Sequence, residues 1–189
     1  MSQLQVLRAK DYPRMPWKNG GGSTEEIARD AGVGLDGFGW RLSIADISES
    51  GGFSSFAGYQ RIITVLEGEG MRLQVDGQPT RPLLPFDAFA FSGQSQVSCT
   101  LLGGAIRDFN LIYSPERYNA RLQWLDGSQR LFSSATTVLL FAVASQVEVT
   151  LDSGVQLLGR YDCLHLEASQ GLQTLNIQGR CCLIELSPR

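Results

Sequence analysis

Three polar residues, Arg61, Asp108 and Asn110, lie in segments that are otherwise rich in β-forming apolar residues. Asp108 and Asn110 are two positions apart, so in a strand they share one face, with Phe109 and Leu111 on the other. If the polar face lines the inside of a β-barrel, its groups must pair with one another or bind something. Asp108 would then hold Arg61 while the guanidinium offers two directed hydrogen bonds to a carboxylate. A purely structural Arg–Asp pair is the alternative.

A glycine-rich segment near the start of the chain offers further ligand-binding groups. Trp17, Lys18 and Asn19 precede three glycines at positions 20–22. Glycine lets the main chain approach a ligand closely, and Trp17 places an aromatic ring beside a cation. No strand precedes the glycines and no Lys-Ser/Thr pair follows them, so this is not a phosphate-binding loop. We expect the segment to reach into the same site; a flexible N-terminal loop is the alternative.

Residues 40–43 supply a third group of candidates. In a strand, Arg41 and Ser43 share one face and Trp40 lies on the other. The polar pair fits either the rim of a cavity or a solvated strand face. We expect Arg61 to anchor a carboxylate, Trp40 or Trp17 to supply a flat wall, and Ser43, with Ser54 and Asn110, to bind the remaining polar groups.

Residues that usually hold transition metals are scarce. His165 is the only histidine, and a lone strand histidine is more often structural than a ligand. None of the four cysteines has Cys-x-x-Cys spacing: Cys99, Cys163, Cys181 and Cys182. We therefore expect no metal and no cofactor, and buried free thiols in a reducing cytoplasm.

Charge and hydropathy narrow the choice of partners. The 189 residues carry a net charge of -3 and the pI is about 5.2, so no broad basic surface is available for nucleic acid or an anionic membrane. The start of the chain lacks a secretory signal, and no apolar run approaches membrane-spanning length. We expect a cytoplasmic protein with no nucleic-acid or membrane partner.

Short segments rich in β-branched and aromatic residues fill the chain after residue 38 and predict an all-β sandwich or barrel. The strongest helix prediction covers residues 114–125, with Ser114 as the N-cap and Pro115 in the first helical position. Residues 23–32 form a weaker helix candidate, for which an extended strand is the alternative.

The chain also resembles itself at an offset of about 75 residues, between segments that start at Leu73 and Val149. The alignment pairs Asp76 with Asp152, Phe86 with Tyr161, and Asp87 with Asp162. No Gly/Ser/Pro linker separates the two segments. We therefore predict two related β-units in one compact body, covering approximately residues 1–113 and 114–189.

Taken in order, these segments resemble the HutD/Ves family. The matching positions are 16–22, Thr24, Glu26, Ile27, 40–43, Ala45, Phe53, Ser54, Phe56, Gly58, Arg61 and 108–110. The resemblance implies a bacterial cytoplasmic protein with a bicupin fold, two cupin-like antiparallel β-barrels with few short helices. In most cupins, metal-binding histidines precede the turn that here spans residues 68–70; in this chain Ser54, Phe56 and Arg61 take that place. One branch of the family accompanies histidine-utilisation enzymes as a regulator or metabolite-binding protein, and another is linked to stress or cold response.

The residues and the resemblance together predict a metal-free protein that binds a small carboxylate, such as formylglutamate or urocanate, and modulates histidine utilisation. The predicted ligand-binding residues are Trp17, Lys18, Asn19, Thr24, Trp40, Arg41, Ser43, Ser54, Phe56, Arg61, Asp108 and Asn110. One alternative is a metal-independent enzyme that acts on a small organic acid, with Asp108 or Glu26 as general base. Another is a stress-response protein whose barrels serve protein interaction. A homodimer is left open.

Overall fold

The computed structural model describes residues 2–35, 37–168 and 171–189, and most of them lie in antiparallel β-strands. The first eleven strands are β1 (Gln3–Leu7), β2 (Arg14–Pro16), β3 (Gly22–Arg29), β4 (Trp40–Ile47), β5 (Gly51–Gly52), β6 (Gln60–Glu67), β7 (Met71–Val75), β8 (Gln78–Pro79), β9 (Phe89–Ser92), β10 (Val97–Leu101) and β11 (Ile106–Tyr113). The remaining strands are β12 (Tyr118–Leu125), β13 (Ser128–Ser133), β14 (Thr137–Ala142), β15 (Gln146–Leu151), β16 (Gly154–Gly159), β17 (Cys163–Glu167), β18 (Gln173–Gln178) and β19 (Cys181–Pro188).

The chain divides into two units. One unit is continuous, Pro13–Glu116, and the other combines Met1–Tyr12 with Arg117–Arg189; we call the second the discontinuous unit. The Pro13–Glu116 unit has a six-stranded sheet in the order β2-β3-β4-β11-β6-β9 and a four-stranded sheet in the order β5-β10-β7-β8. The sequence predicted a division near residue 113, with the first twelve residues in the N-terminal unit. The structure groups those twelve residues with the C-terminal part of the chain.

In the Pro13–Glu116 unit, strand alternation gives the six-stranded sheet an interior face and an opposite face. The interior face and the four-stranded sheet contribute to one apolar cluster that includes Ala45, Ile47, Ile63, Val65, Met71, Leu73, Val97 and Cys99. Residues of the opposite parity, among them Trp40, Leu42 and Phe109, are also buried. The interior position of Ala45 and Ile47 fixes the parity of β4, so its odd-numbered side chains point inward.

The discontinuous unit is completed by the N-terminal strand. β1 pairs with β17 over five residues, and the two sheets have the orders β1-β17-β14-β19-β12 and β13-β18-β15-β16. Asp162 fastens the segment after β1, since it accepts hydrogen bonds from Arg8 Nη1 at 2.7 Å and from the backbone N of Ala9 at 2.9 Å. The Tyr12 hydroxyl donates to the carbonyl of Tyr161 at 2.7 Å.

The two units repeat the same strand order. The series β4-β11-β6-β9 and β5-β10-β7-β8 in one corresponds to β12-β19-β14-β17 and β13-β18-β15-β16 in the other. The backbone agrees in detail at one pair of aligned positions, because Phe86 and Tyr161 both have positive φ, 66° and 68°. Such a conformation is uncommon for a bulky residue. The shared strand order and this backbone feature support an internal duplication.

The all-β cupin-like class is confirmed, although no sheet closes into a barrel among the described residues. The predicted helix at residues 114–125 is wrong: β12 pairs with β19 throughout Tyr118–Leu125. Residues 23–32 follow the extended alternative, since most of them lie in β3. Within the described ranges, helical structure is limited to a 3-10 turn at Ala9–Asp11, and no helix has the length and apolar character needed to cross a bilayer.

Candidate functional site

Polar side chains gather on the interior face of the six-stranded sheet, where register places them in neighbouring rows. In one row Arg29 pairs with Arg41, Arg41 with Ile112, and Ile112 with Arg61, so three cations lie across four strands. The next row holds Glu26, Ser43 and Asn110, and the one after it Thr24, Ala45 and Asp108. We use the name interior polar cluster for Glu26, Arg29, Arg41, Ser43, Arg61, Asp108 and Asn110.

Arg61 is the most enclosed cation of this cluster, with 7% of its surface exposed. Its Nη1 donates to the carbonyl of Ser54 at 3.2 Å and its Nη2 to Asn110 Oδ1 at 2.9 Å. Three rings surround the guanidinium, with Phe53, Phe56 and Phe91 centroids 5.1–5.5 Å from its carbon. Burial lowers the pKa of Arg61 to about 10, which leaves the group charged at neutral pH.

Asp108 and Asn110 continue the hydrogen-bond chain from Arg61. Asn110 Nδ2 donates to Asp108 Oδ2 at 2.5 Å, so one amide joins the guanidinium to the carboxyl group. Asp108 is fully buried, and burial raises its pKa to about 7 against the opposing effects of the Asn110 hydrogen bond and the Arg61 charge. Two atoms of this chain, Arg61 Nε and Asp108 Oδ1, are buried without a hydrogen-bond partner among the described residues.

Glu26 holds the other two arginines. Its Oε1 accepts from Arg41 Nε at 2.7 Å and from Arg29 Nε at 3.0 Å, and Arg29 also forms an ion pair with it through Nη2. Burial raises the pKa of Glu26, but the hydrogen bonds and charges of the two arginines outweigh it and hold the pKa below its ordinary value. Glu26 is therefore ionised at neutral pH and neutralises one of its two arginine partners.

Access to Arg61 is limited by the loop at residues 53–59, which supplies both Phe53 and Phe56 and the Ser54 carbonyl. A cleft of about 200 Å³ lies beside this loop, with Trp17, Phe53 and Cys99 among its lining residues. A larger open cleft of about 590 Å³ is lined by Asp46 and Arg107 together with parts of the glycine-rich segment. Neither cleft is lined by the buried Arg61–Asn110–Asp108 chain itself, but the smaller one contacts its cover through Phe53.

The glycine-rich segment packs against its own chain. A Cβ at Gly22 would lie 2.3 Å from the carbonyl oxygen of Asp46, and the Gly21 carbonyl accepts from the Ser48 backbone N at 3.0 Å. Asn19 Oδ1 accepts from the Gly21 backbone N at 2.9 Å. The close approach predicted for these glycines is thus made to β4 and the residue after it.

The structure brings together most of the predicted ligand-binding residues. Arg41, Ser43, Arg61, Asp108 and Asn110 share the interior face, Thr24 lies in the adjacent row, and Phe56 and the Ser54 carbonyl cover Arg61. Trp17 joins the edge of this group, because its Nε1 donates to Thr24 Oγ1 at 2.8 Å. Asn19 lines the smaller cleft.

Two predicted residues lie elsewhere. Trp40 belongs to the opposite face of β4 and is 1% exposed, so it cannot form a wall of the interior polar cluster. The strand alternation that places Arg41 inward requires this. Lys18 is exposed, outside the interior polar cluster.

Sequence reasoning missed Phe53 and Phe91 as neighbours of Arg61, and Arg29 as a member of the same row. Phe91 lies beside Arg61 because the two residues pair across β6 and β9, and Arg29 joins the row because it pairs with Arg41. In a regular strand a residue three positions after Glu26 lies on the opposite face, so spacing alone offered no signal for Arg29. The bulge in β3 between Glu26 and Ala28 shifts the alternation by one residue and brings Arg29 to the same face.

No group of three or more His, Cys, Asp or Glu side chains in the described ranges is arranged to hold a metal ion. His165 contacts Glu167 at 2.7 Å in β17, in the discontinuous unit. The four cysteines are buried and free. Three of the five charged side chains of the interior polar cluster are arginines, which bind anions and not cations.

Comparison with known proteins identifies relatives over the whole chain. The family model described as HutD matches residues 9–184. An uncharacterised 21.2 kDa protein in the hutC 3' region of Pseudomonas putida is 76% identical over 190 residues, which cover all of both chains. Protein Ves of Citrobacter koseri is 37% identical over 128 residues, 66% of each chain.

Solved structures agree in fold. HutD from Pseudomonas fluorescens SBW25, described under a formate condition, is 66% identical with a TM-score of 0.92, over 99% of this chain and 100% of that one. YhhW from Escherichia coli has a TM-score of 0.72 at 11% identity over 99% of both chains, which shows a shared fold alone. The family match and the similarity to HutD-region proteins lead to one conclusion: the chain belongs to the HutD family.

Proposed function

We propose that the interior polar cluster binds the carboxylate of a small organic acid, with Arg61 as the anchor. The observation that supports this most directly is the state of Arg61 itself. Its guanidinium is charged and buried, and its two hydrogen-bond acceptors, a carbonyl and an amide oxygen, are both neutral. None of the described carboxylates forms an ion pair with it. A buried charge of this kind is costly unless it is matched by an opposite charge, and a bound carboxylate supplies that charge.

The charge balance of the cluster points the same way. Arg29, Arg41 and Arg61 carry three positive charges, against one fixed negative charge on Glu26. Asp108 adds a second negative charge only when it is ionised, and burial opposes that ionisation. The interior therefore has a net positive charge in either state of Asp108, which favours an anion over a neutral or cationic ligand.

The cover of the site favours a small ligand. The cleft of about 200 Å³ does not include Arg61, but it is lined by Phe53, one of the rings that cover the guanidinium. To reach Arg61 a ligand has to displace Phe53 or Phe56, and both belong to the irregular loop at residues 53–59. In this proposal the loop opens for the ligand and then excludes water from it, as the lid loops of many binding sites do.

The relatives supply the biological setting of the proposal. The Pseudomonas putida relative is described by its position in the hutC 3' region, and the Pseudomonas fluorescens structure is named HutD and described under a formate condition. Formate is the simplest carboxylate. We infer a cytoplasmic bacterial protein that binds a carboxylate metabolite, such as formylglutamate or urocanate, and thereby modulates histidine utilisation.

The test is calorimetric titration of formate, formylglutamate, urocanate and histidine into the wild type and two arginine variants. Arg61→Gln removes the charge and should weaken carboxylate binding by roughly ten- to a hundredfold, the value of a charge-assisted hydrogen bond. Arg81→Gln is the matched control: Arg81 also lies over a phenylalanine ring, at 5.9 Å from Phe89, but it is exposed and paired with Asp87. It should bind like the wild type. Absence of binding by every acid, or equal binding by folded Arg61→Gln, would contradict the proposal.

One observation favours a second candidate, a metal-independent enzyme that uses Asp108 as general acid or base. Its carboxyl group has a pKa near 7, which matches the requirement for proton transfer at neutral pH. Glu26, the other candidate base, is occupied by two arginines. Chemical conversion of a bound acid during long incubation with wild-type protein, lost in Asp108→Asn, would establish this activity; an acid recovered unchanged would exclude it for that acid.

A further inference from the structure

The two unpartnered atoms of the Arg61–Asn110–Asp108 chain differ in chemistry. Arg61 Nε is a hydrogen-bond donor, and Asp108 Oδ1, on an ionised carboxylate, is an acceptor. Both belong to side chains that are more than nine-tenths buried. A third buried unpartnered atom, Arg29 Nη1, belongs to a guanidinium already bound to Glu26 and to the Gly34 carbonyl.

One side-chain amide joins the two residues that carry these atoms. Asn110 is hydrogen-bonded to each partner, at 2.9 Å to Arg61 Nη2 and at 2.5 Å to Asp108 Oδ2. One side-chain amide therefore separates the two charged groups, which keeps Arg61 Nε and Asp108 Oδ1 within on the order of 10 Å of each other. Cross-strand pairing of Asn110 with Ile63 and Ser43 fixes the middle of the chain in β11.

We infer that the ligand carries, besides its carboxylate, an N–H or O–H group that donates a hydrogen bond to Asp108 Oδ1. The inference rests on the proposed carboxylate site at Arg61 and adds the second recognition group. Its ligand class is a small acid with an amide, imidazole or hydroxyl donor a few bonds from the carboxylate. A plain aliphatic or aryl acid would satisfy Arg61 and leave the Asp108 oxygen buried and unpaired.

The free-energy penalty for leaving Asp108 Oδ1 unpaired makes the site selective for acids that carry a hydrogen-bond donor. A site built to hydrogen-bond a polar group discriminates against an analogue that lacks it, because the buried partner then has nothing to bind. For a bond to a charged acceptor, the expected preference is roughly ten- to a hundredfold in Kd. Asp108 therefore contacts the ligand, and Asn110 is a positioning residue that holds the Asp108 carboxyl group.

Matched acid pairs test the inference. Urocanate has an imidazole N–H, and 3-(2-furyl)acrylate has a furan ring of similar size with no donor; 3-hydroxybutyrate and butyrate differ by one hydroxyl. We would titrate each acid calorimetrically at pH 8, where Asp108 is mostly ionised. At least one donor-bearing acid should bind the wild type ten- to a hundredfold more tightly than its donor-free partner. In Asp108→Leu that preference should disappear, because the acceptor for the N–H or O–H group of the ligand is removed.

The outcomes separate this inference from the proposed function. Binding of both members of each pair with equal Kd overturns the inference and leaves the carboxylate site standing. Retention of the preference by folded Asp108→Leu also overturns it. Absence of binding by all four acids overturns both. If Asp108→Leu fails to fold or binds neither acid of a pair, the Asp108 side-chain ¹³C carboxyl resonance of the wild type decides: it should shift further with the donor-bearing acid than with its partner, and equal shifts overturn the inference.

Discussion

Replacement of Asp108 by asparagine should change how the stability of the protein depends on pH. The carboxyl group is fully buried, and burial raises its pKa from an ordinary value of 3.8 to about 7. The folded protein therefore binds this proton more tightly than the unfolded chain does. The sign follows from linkage: the carboxyl group costs stability above its unfolded pKa, the cost grows as pH rises from about 4 to about 7, and it is constant above 7.

The cost of the buried charge follows from these two pKa values. At about 1.36 kcal/mol per pH unit, a rise from 3.8 to about 7 corresponds to roughly 4 kcal/mol at full ionisation. Relaxation around a buried charge reduces such values, so we expect roughly 2–4 kcal/mol. Asp108→Asn keeps an acceptor for Asn110 Nδ2 and removes the titration. The difference in free energy of unfolding, variant minus wild type, should rise by most of this amount between pH 4.5 and pH 8.

The assay is urea denaturation at several pH values, with Asp152→Asn as the control because Asp152 is exposed. At each pH the free energy of unfolding of Asp108→Asn has to be compared with that of the wild type, because other carboxyl groups titrate in the same interval. Glu26 and Asp162 have lowered pKa values and lose stabilising interactions as pH falls through those lowered values, in both proteins alike. A difference between Asp108→Asn and the wild type that is the same at pH 4.5 and pH 8 would refute the burial argument.

Two further substitutions test features of the fold. Gly22→Ala should destabilise the protein by at least about 1–3 kcal/mol, because its Cβ would lie 2.3 Å from the Asp46 carbonyl, whereas Gly51→Ala meets no atom within 4 Å; equal denaturation midpoints would contradict the predicted clash. Asp162→Ala removes the acceptor for Arg8 and for two backbone N–H groups, and should cost about 2–4 kcal/mol by urea denaturation. A loss no larger than that of the exposed Asp152→Ala would show that Asp162 does not fasten the N-terminal segment.

Local patterns were sufficient for most of the strands after residue 38 and for one face of the site. Alternation placed Asp108 and Asn110 together because side-chain direction in a strand depends only on sequence spacing. The same alternation separated Trp40 from Arg41, so only one of them could face the ligand. Which one did so depended on the packing partner of the sheet, and local sequence carries no information about that.

The wrong helix prediction at residues 114–125 shows that residues typical of a helix N-terminus are not sufficient to predict a helix. Ser114 and Pro115 are good helix-start residues, but both are also common in the turn between two strands. Tyr118, Leu122 and Trp124 fit an alternating pattern as well as a helical one. Pairing with β19 decided the outcome, a contact between segments that lie about 60 residues apart.

The aromatic cover of Arg61 could not be predicted from spacing. Phe53 comes from an irregular loop and Phe91 from a strand paired with β6. Their convergence on one guanidinium is a result of register, and register is set by the whole sheet. The usable signal was a polar residue in an apolar strand. It identified Arg61, but it did not identify the rings that surround its guanidinium.

The pairing of β1 with β17 has a consequence for how the protein is made. Gln5 faces His165, which the ribosome adds 160 positions later. At about 5–20 residues per second, the first strand emerges roughly 8–30 s before its partner exists. Residues 13–116 are complete within that interval and can fold before the partner of β1 has been made. Because the partner of β1 is the strand Cys163–Glu167, this edge of the discontinuous unit can form only after residue 167 has been synthesised.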